Sequence, residues 1–274
     1  MVCMRISLIL VLYRNQNSSG IVNQILNHME NGDTEAVPKC WREIYAVNKA
    51  LSVMRKVLFT WSGGKDSALA LYELQRKHDH EILALLTTLT EDYDRVSMHG
   101  VRTILLEHQA NSLGLPIEKV YLPKDSCNEA YEAKMSEVLQ KYLRLGVSSV
   151  VFGDIFLEDL RKYREDNLSR VGMKAFFPIW KRDTAELAHE FIDLGFKAIV
   201  TCVDSNVLDK RFVGRLFDRQ LLSDFPSAID PCGENGEFHT FVYDGPIFQK
   251  RVSYLQGEVV LRENRYWYCD LIPV

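Results

Sequence analysis

Six consecutive residues, Ser62-Gly63-Gly64-Lys65-Asp66-Ser67, bring together two hydroxyls, a cation, a carboxylate and two adjacent glycines. Glycines side by side let the backbone take φ > 0 and bring its N–H groups close to an anion, so the set suits the grip of a phosphate chain. It is not a Walker loop, because the first glycine of G-x-x-x-x-G-K-[ST] would fall at Phe59. A second dense group runs through Asp230-Pro231-Cys232-Gly233-Glu234-Asn235-Gly236-Glu237-Phe238-His239-Thr240. Two glutamates three apart, two glycines and a histidine before a strand offer general-base, metal-binding and substrate-orienting groups.

The elements that must position these groups follow from periodicity. Val57 to Thr60 reads as a buried strand, and Ala68, Leu71 and Tyr72 fall at helical spacing after the glycines. The helix that opens near Lys65 therefore points its positive dipole end at the loop. Further strands are expected at Glu81–Leu89, Ile117–Leu122 and Ser148–Phe152, with helices at His99–Leu113 and Glu129–Leu145 between them. Ala175–Trp180 and Ala198–Val203 flank a helix over Thr184–Leu194, for which Asp183 and Glu186 supply a capping box. Short alternating runs at Phe238–Tyr243, Glu258–Arg262 and Arg265–Leu271, with a tight turn at Glu263-Asn264, close the chain.

Alternating strands and helices with continuous apolar strands predict an α/β fold with a parallel sheet covered on both faces. Ligands of such sheets gather at the carboxyl ends of strands. That makes the Ser62 loop, Thr87 to Thr90 and Gly153-Asp154 neighbouring lips of one crevice, with an adenine expected near Thr87. The change of texture near Lys181 divides the chain into an irregular extension (1–55), a nucleotide domain (56–180) and a smaller α+β substrate domain (181–274). Met54, just before the first convincing strand, is a second potential start of translation.

A formal charge of −4 over 274 residues weighs against a nucleic-acid substrate. Six cysteines without a C-x-x-C pair disfavour zinc, iron-sulfur or disulfide frameworks and suit a reducing cytoplasm. Ile6–Tyr13 is too short to span a bilayer, so no membrane is expected.

The hexapeptide resembles the PP-loop of N-type ATP pyrophosphatases. Together with Val151-Phe152-Gly153-Asp154-Ile155, Tyr163-Arg164-Glu165, Phe177-Pro178-Ile179-Trp180-Lys181-Arg182-Asp183 and Cys232 to Thr240, it resembles the diphthine-ammonia ligase family over Lys56 to Val252. The resemblance implies a Rossmann-like, adenine nucleotide alpha hydrolase-like domain facing a substrate domain. It implies ATP as the activating substrate, adenylation of a carboxylate, release of pyrophosphate, and displacement of AMP by ammonia. Diphthine on an elongation factor is the implied acceptor, and a homodimer is left open.

Carried onto this chain, Ser62, Gly63, Gly64 and Ser67 bind the pyrophosphate portion, Lys65 neutralises it and Asp66 positions Mg²⁺. Lys65→Ala is expected to cripple turnover more than folding. Thr87, Gly153 and Asp154 line the nucleotide side, with a strand-end cap as the plain alternative for Asp154. Glu234 and Glu237 orient or deprotonate ammonia, while His99, Arg182, His239 and Thr240 meet the acceptor. Ligases acting on diphthine carry Gly-Gly-Glu-Tyr-Glu-Thr where this chain has Asn235-Gly236-Glu237-Phe238-His239-Thr240. The exchange of an acid for His239 keeps amidation of another, cobalamin-related carboxylate in view, and a non-catalytic ATP sensor is the alternative from a different class.

Overall fold

Val57, Leu58 and Phe59 are fully buried because β1 (Arg55–Thr60) runs between β2 (His80–Thr90) and β5 (Ser149–Val151) in a sheet covered on both faces. The structure, a computed structural model, describes residues 54–274 except 92–94, 97–98 and 124–127, together with His28. The expectations for the extension before Met54 lie outside the described residues.

Strands β4 (Ile117–Leu122) and β6 (Lys174–Phe176) complete a parallel run, β4-β2-β1-β5-β6. A short antiparallel strand, β3 (Arg95–Val96), also pairs with Leu89 and Thr90 of β2. β4 already occupies one edge of that stretch, and β1 stops opposite Leu86 on the other. β3 therefore caps the carboxyl end of β1, above the glycine loop.

Helices α1 (Lys65–Arg76) and α2 (Thr103–Leu113) lie on one face with Val57 and Phe59. Leu58 turns the other way, into a cluster with Leu139 and Tyr142 of α3 (Asn128–Arg144) and Leu168 of α4 (Glu158–Arg170). This is the alternation that a doubly covered strand requires.

After α5 (Thr184–Asp193), the chain builds an antiparallel sheet in the order β8-β7-β10-β9. Its strands are β7 (Lys197–Asp204), β8 (Phe238–Asp244), β9 (Tyr254–Arg262) and β10 (Tyr266–Pro273), and α6 (Arg219–Asp224) lies between β7 and β8. Val200 and Phe241 of this sheet share one core cluster with Phe59 and Leu71, and Arg55–Val274 is one compact unit. Positive φ at both Glu263 and Asn264 gives the β9–β10 hairpin its tight turn, as their sequence suggests.

Three of the departures from the sequence reading bear on the site. β6 ends at Phe176 and does not reach Trp180, since the stretch through Pro178 turns and Lys181 takes φ +58°. α2 begins at Thr103, so His99 lies in the connection from β3 and not on the helix. α4 has no counterpart in that reading because it buries only Leu168 and shows little apolar period.

Candidate active site at the carboxyl ends of the parallel strands

The glycine loop is fixed by its neighbours as much as by its own residues. Gly63 sits at φ +80°, and a Cβ there would come 2.6 Å from Leu106 Cδ2 and 2.7 Å from Gln109 Oε1 of α2. Both the dihedral and the contact exclude other residues. Ser62 Oγ accepts from Gly64 N–H at 3.2 Å, and Ser67 Oγ donates to the Gly64 carbonyl at 2.9 Å. Strand β8 then joins the loop directly. Val242 N–H donates to Gly63 O at 2.9 Å, and Lys65 N–H donates to Thr240 Oγ1 at 3.0 Å.

Gln109 ties these parts together. It is fully buried, its Oε1 accepts from Trp61 Nε1 at 2.8 Å, and its Nε2 donates to Gly63 O at 3.0 Å and Val242 O at 2.5 Å. The connection that follows β1, with its glycine loop, and β8 are thus joined through one side chain. Sequence reasoning missed it, and the available signal was a long polar side chain between Leu105, Leu106, Ala110 and Leu113 on the buried side of α2.

Lys65 is only 3% exposed. Its Nζ donates to the Cys232 carbonyl and, at 2.9 Å, to Asp66 Oδ2, and it lies 5.0 Å from the centre of the Phe238 ring. Burial works against its charge, yet Asp66, Cys232 and Glu234 outweigh burial and raise its pKa. Burial raises Asp66 despite Lys65. Glu234 Oε2 accepts from the N–H groups of Ile155 and Phe156 at 3.1 and 3.3 Å, bridging the C-terminal loop to the segment after β5. Burial, then the Asp66 charge, push Glu234 up to about 7 against those two bonds and Lys65.

The cavity enclosed by these groups measures about 450 Å³, within the range of small-molecule sites. Ser62, Lys65, Asp66, Ser67, Thr87, His99, Gly153, Asp154, Glu234, His239 and Thr240 all border it. Gly63 and Gly64 form the loop behind it. Gly153 is a close-approach position, since a Cβ would lie 3.0 Å from Ser67 N at the start of α1. Asp154 pairs with Arg164 through Nη2–Oδ1 at 3.1 Å and Nε–Oδ2 at 2.6 Å, a partnership in place of a strand-end cap.

His99 Nδ1 lies 3.2 Å from Thr240 O. A carbonyl only accepts, so this nitrogen carries the proton. The His99 and His239 rings are 4.6 Å apart. Burial lowers His99 to about 4 and His239 well below its ordinary value, so both are neutral at pH 7. That wall of the cavity carries hydrogen-bonding groups without charge.

Two expected residues stand elsewhere. Glu237 is turned into its own loop, where Oε1 accepts from Asp230 N and Asn235 Nδ2 at 3.1 and 3.0 Å and Oε2 from Asn235 N at 3.0 Å. Its geometry holds the loop and leaves Glu234 as the acid beside the cavity. Arg182 pairs with Glu190 of α5 at 2.5 Å and does not border the cavity.

Among the described residues, no group of three His, Cys, Asp or Glu forms a ready metal cage. A magnesium ion needs fewer protein ligands, because it is held by one or two carboxylates together with phosphate oxygens. Asp66, a part-buried carboxylate with a raised pKa at this cavity, fits a cation that arrives with a nucleotide.

Two families match in tandem, the diphthamide synthase N-terminal domain over residues 54–175 and the diphthamide synthase C-terminal domain over residues 183–271. The diphthine-ammonia ligase of Schizosaccharomyces pombe is 27% identical over 224 residues, covering 75% of this chain and 37% of that protein. The Danio rerio ligase is 28% identical, covering 74% of this chain and 88% of its own length, and the Homo sapiens ligase 25%, covering 73% and 83%. The match thus spans little more than a third of the fission-yeast protein and most of the two animal ones. A solved U34-tRNA thiolase, NcsA from Methanococcus maripaludis with its [4Fe-4S] cluster, aligns at a TM-score of 0.33 and 13% identity over 63% of this chain and 66% of its own, an overlap too small to support an inference.

Proposed function

The chain belongs to the diphthamide synthase family, and on that premise we propose that it is an ATP-dependent carboxylate-ammonia ligase whose acceptor is diphthine on an elongation factor. The name shared by the relatives favours this acceptor over another carboxylate and over a sensor without turnover.

A carboxylate becomes a good electrophile once one oxygen is part of a leaving group. In the proposed reaction an acceptor oxygen attacks the α-phosphorus of ATP, the bond to the β-phosphate breaks, and pyrophosphate departs. Ser62, Gly63, Gly64 and Ser67 cradle the departing phosphates at the start of α1, where the helix dipole favours negative charge. Lys65 offsets that charge from the cavity floor. Ammonia then attacks the acyl carbon, AMP leaves, and the surplus proton passes to a base. Glu234 suits that last role because a carboxyl near 7 can accept a proton at neutral pH. Asp66 would hold Mg²⁺, which would offset phosphate charge. Thr87 borders the cavity at the end of β2, in keeping with a place for the base. His99, His239 and Thr240 face the acceptor.

The observation that carries this reading is the pair of bonds from Ile155 and Phe156 to Glu234. They hold a carboxylate of the C-terminal loop at the cavity that the phosphate-binding loop also borders, within reach of the charges of Asp66 and Lys65. No helix among the described residues is long and apolar enough to cross a membrane. The free cysteines Cys202, Cys232 and Cys269 support a reducing, cytoplasmic setting.

The test supplies the purified chain with ATP, ammonium and an elongation factor bearing diphthine. AMP and pyrophosphate should appear in equal amounts as the acceptor's carboxyl becomes an amide by mass spectrometry. Release of ADP and phosphate, or AMP without an amide, would overturn the proposal.

A further inference from the structure

The antiparallel sheet has two edges with opposite fates. The β8 edge is covered, because Val242 N–H reaches the glycine loop. β9 stands at the other end and, among the described residues, pairs only with β10. Its sequence, Tyr-Leu-Gln-Gly-Glu-Val-Val-Leu-Arg, contains neither proline nor lysine, two residues that often blunt a free edge, and its pairing with β10 is regular from Val259 to Arg262, with a register shift between Gln256 and Val259. Leu255, Val259 and Leu261 are 61%, 41% and 40% exposed, and Ile272, which pairs with Leu255, is 40% exposed. The apolar exposure continues across the hairpin.

We propose that β9 pairs antiparallel with β9 of a second copy of this chain about a two-fold axis at Val260. Backbone groups that point outward must meet outward-pointing groups of the other strand, so a two-fold axis sets some residue opposite itself. Each possible centre makes a different match. An axis at Glu258 sets glutamate against glutamate. One at Val259 sets Glu258 against Val260 and Arg262 against Gln256, and one at Leu261 sets Glu258 against Asn264. Only the axis at Val260 puts Glu258 opposite Arg262, twice, and Val259 opposite Leu261, twice. The two charges of β9 are therefore complementary to themselves in one register, and opposite charges facing each other across a strand pair stabilise it. A ladder from Glu258 to Arg262 is smaller than a standard stable interface, so the dimer is reversible and concentration-dependent.

Sedimentation velocity of the full chain over a concentration series should move from monomer to dimer. Glu258→Arg and Arg262→Glu each create two like-charge pairs and should weaken association about tenfold. The double variant Glu258→Arg/Arg262→Glu swaps the charges and should restore it, which also controls for folding. Val260→Cys should crosslink to its own copy on oxidation, since directly opposed strand residues stand at disulfide distance, while Val259→Cys should not exceed the wild type. A monomer at every concentration, single reversals without effect, or a double variant as weak as the singles would overturn the proposal.

Discussion

The hexapeptide Ser62–Ser67 and the loop Asp230–Thr240 meet at one cavity but are built in opposite ways. In the first, chemistry and geometry come from adjacent residues: strand, glycine turn and helix follow one another, and Gly63 takes the left-handed dihedral that the turn needs. In the second, the residue types are contiguous but their roles are set at a distance. Glu234 and Glu237 are three apart in the same loop, yet one binds N–H groups beyond β5 and the other binds its own loop. A local motif thus discloses its chemistry directly, whereas a loop discloses it only through what it packs against.

Breaking the contact between the two regions should have the largest effect. Lys65→Met removes the cation that the Cys232 carbonyl and Asp66 share, and the rate of pyrophosphate release should fall at least about a hundredfold. The sequence reading expects loss of Lys65 to cost turnover more than folding. The buried position of Lys65 adds a penalty, because Asp66 and Glu234 lose their counter-charge, and a loss of about 3 kcal/mol in denaturant unfolding is the expected outcome. Pyrophosphate release unchanged in the folded variant would separate the two halves of the site.

Glu234→Gln tests the distal half alone. Above pH 7 the native side chain is ionised, so amide formation should rise with pH through about 7 in the wild type, while the variant should lose that inflection and run about a hundredfold slower. Stability gives an independent sign. A carboxyl whose folded pKa is raised binds more protons folded than unfolded between its ordinary value and about 7, so its stabilising share is lost as pH rises through that window. His99, lowered to about 4, acts in the opposite sense as pH falls from its ordinary value. The difference between wild type and Glu234→Gln isolates the first contribution, and parallel stability curves for the two proteins would contradict it.

Gln109→Leu should have a smaller effect, spread over both halves. It orphans Trp61 Nε1 and the Val242 carbonyl, each about 1–3 kcal/mol when buried. Gly63 O keeps its bond from Val242 N–H, so the loop is displaced and not lost, and kcat/KM for ATP should fall about tenfold. Gln109→Glu keeps the acceptor for Trp61 but removes both donated bonds. It should show the same kinetic defect with intrinsic tryptophan fluorescence nearer the wild type. An unaltered kcat/KM in both variants would reduce Gln109 to a packing residue.

The same contrast explains what could be read from the chain. Strands of the parallel sheet and the α1 turn were legible because their burial is continuous and their glycines are local. The Asp183 cap was legible for the same reason, and its Oδ1 accepts from Glu186 N at 2.9 Å. α4 was hidden because a helix with one buried residue has almost no apolar period. β3 was hidden because two residues carry no period at all. The separate fates of Glu234 and Glu237 were hidden because nothing in their spacing tells which carboxylate finds the N–H groups of Ile155 and Phe156. Gln109 was hidden because its three partners, Trp61, Gly63 and Val242, lie on two segments remote from it in sequence.

Arg182 marks the outer limit of the site and carries the smallest expected effect. The sequence places it at a strand end where an acidic acceptor could dock, but β6 stops at Phe176 and the turn that follows carries Arg182 to the start of α5, where Glu190 neutralises it. The pair is partly exposed, so its loss is expected to be below about 1 kcal/mol. Arg182→Ala should therefore leave KM for ATP and for the acceptor unchanged, together with the pH inflection assigned to Glu234. A raised KM for the acceptor alone, with ATP kinetics intact, would show that a large protein acceptor reaches beyond the cavity and touches α5. The distal half of the site would then extend past the loop Asp230–Thr240, while the phosphate-binding half would stay as the hexapeptide defines it.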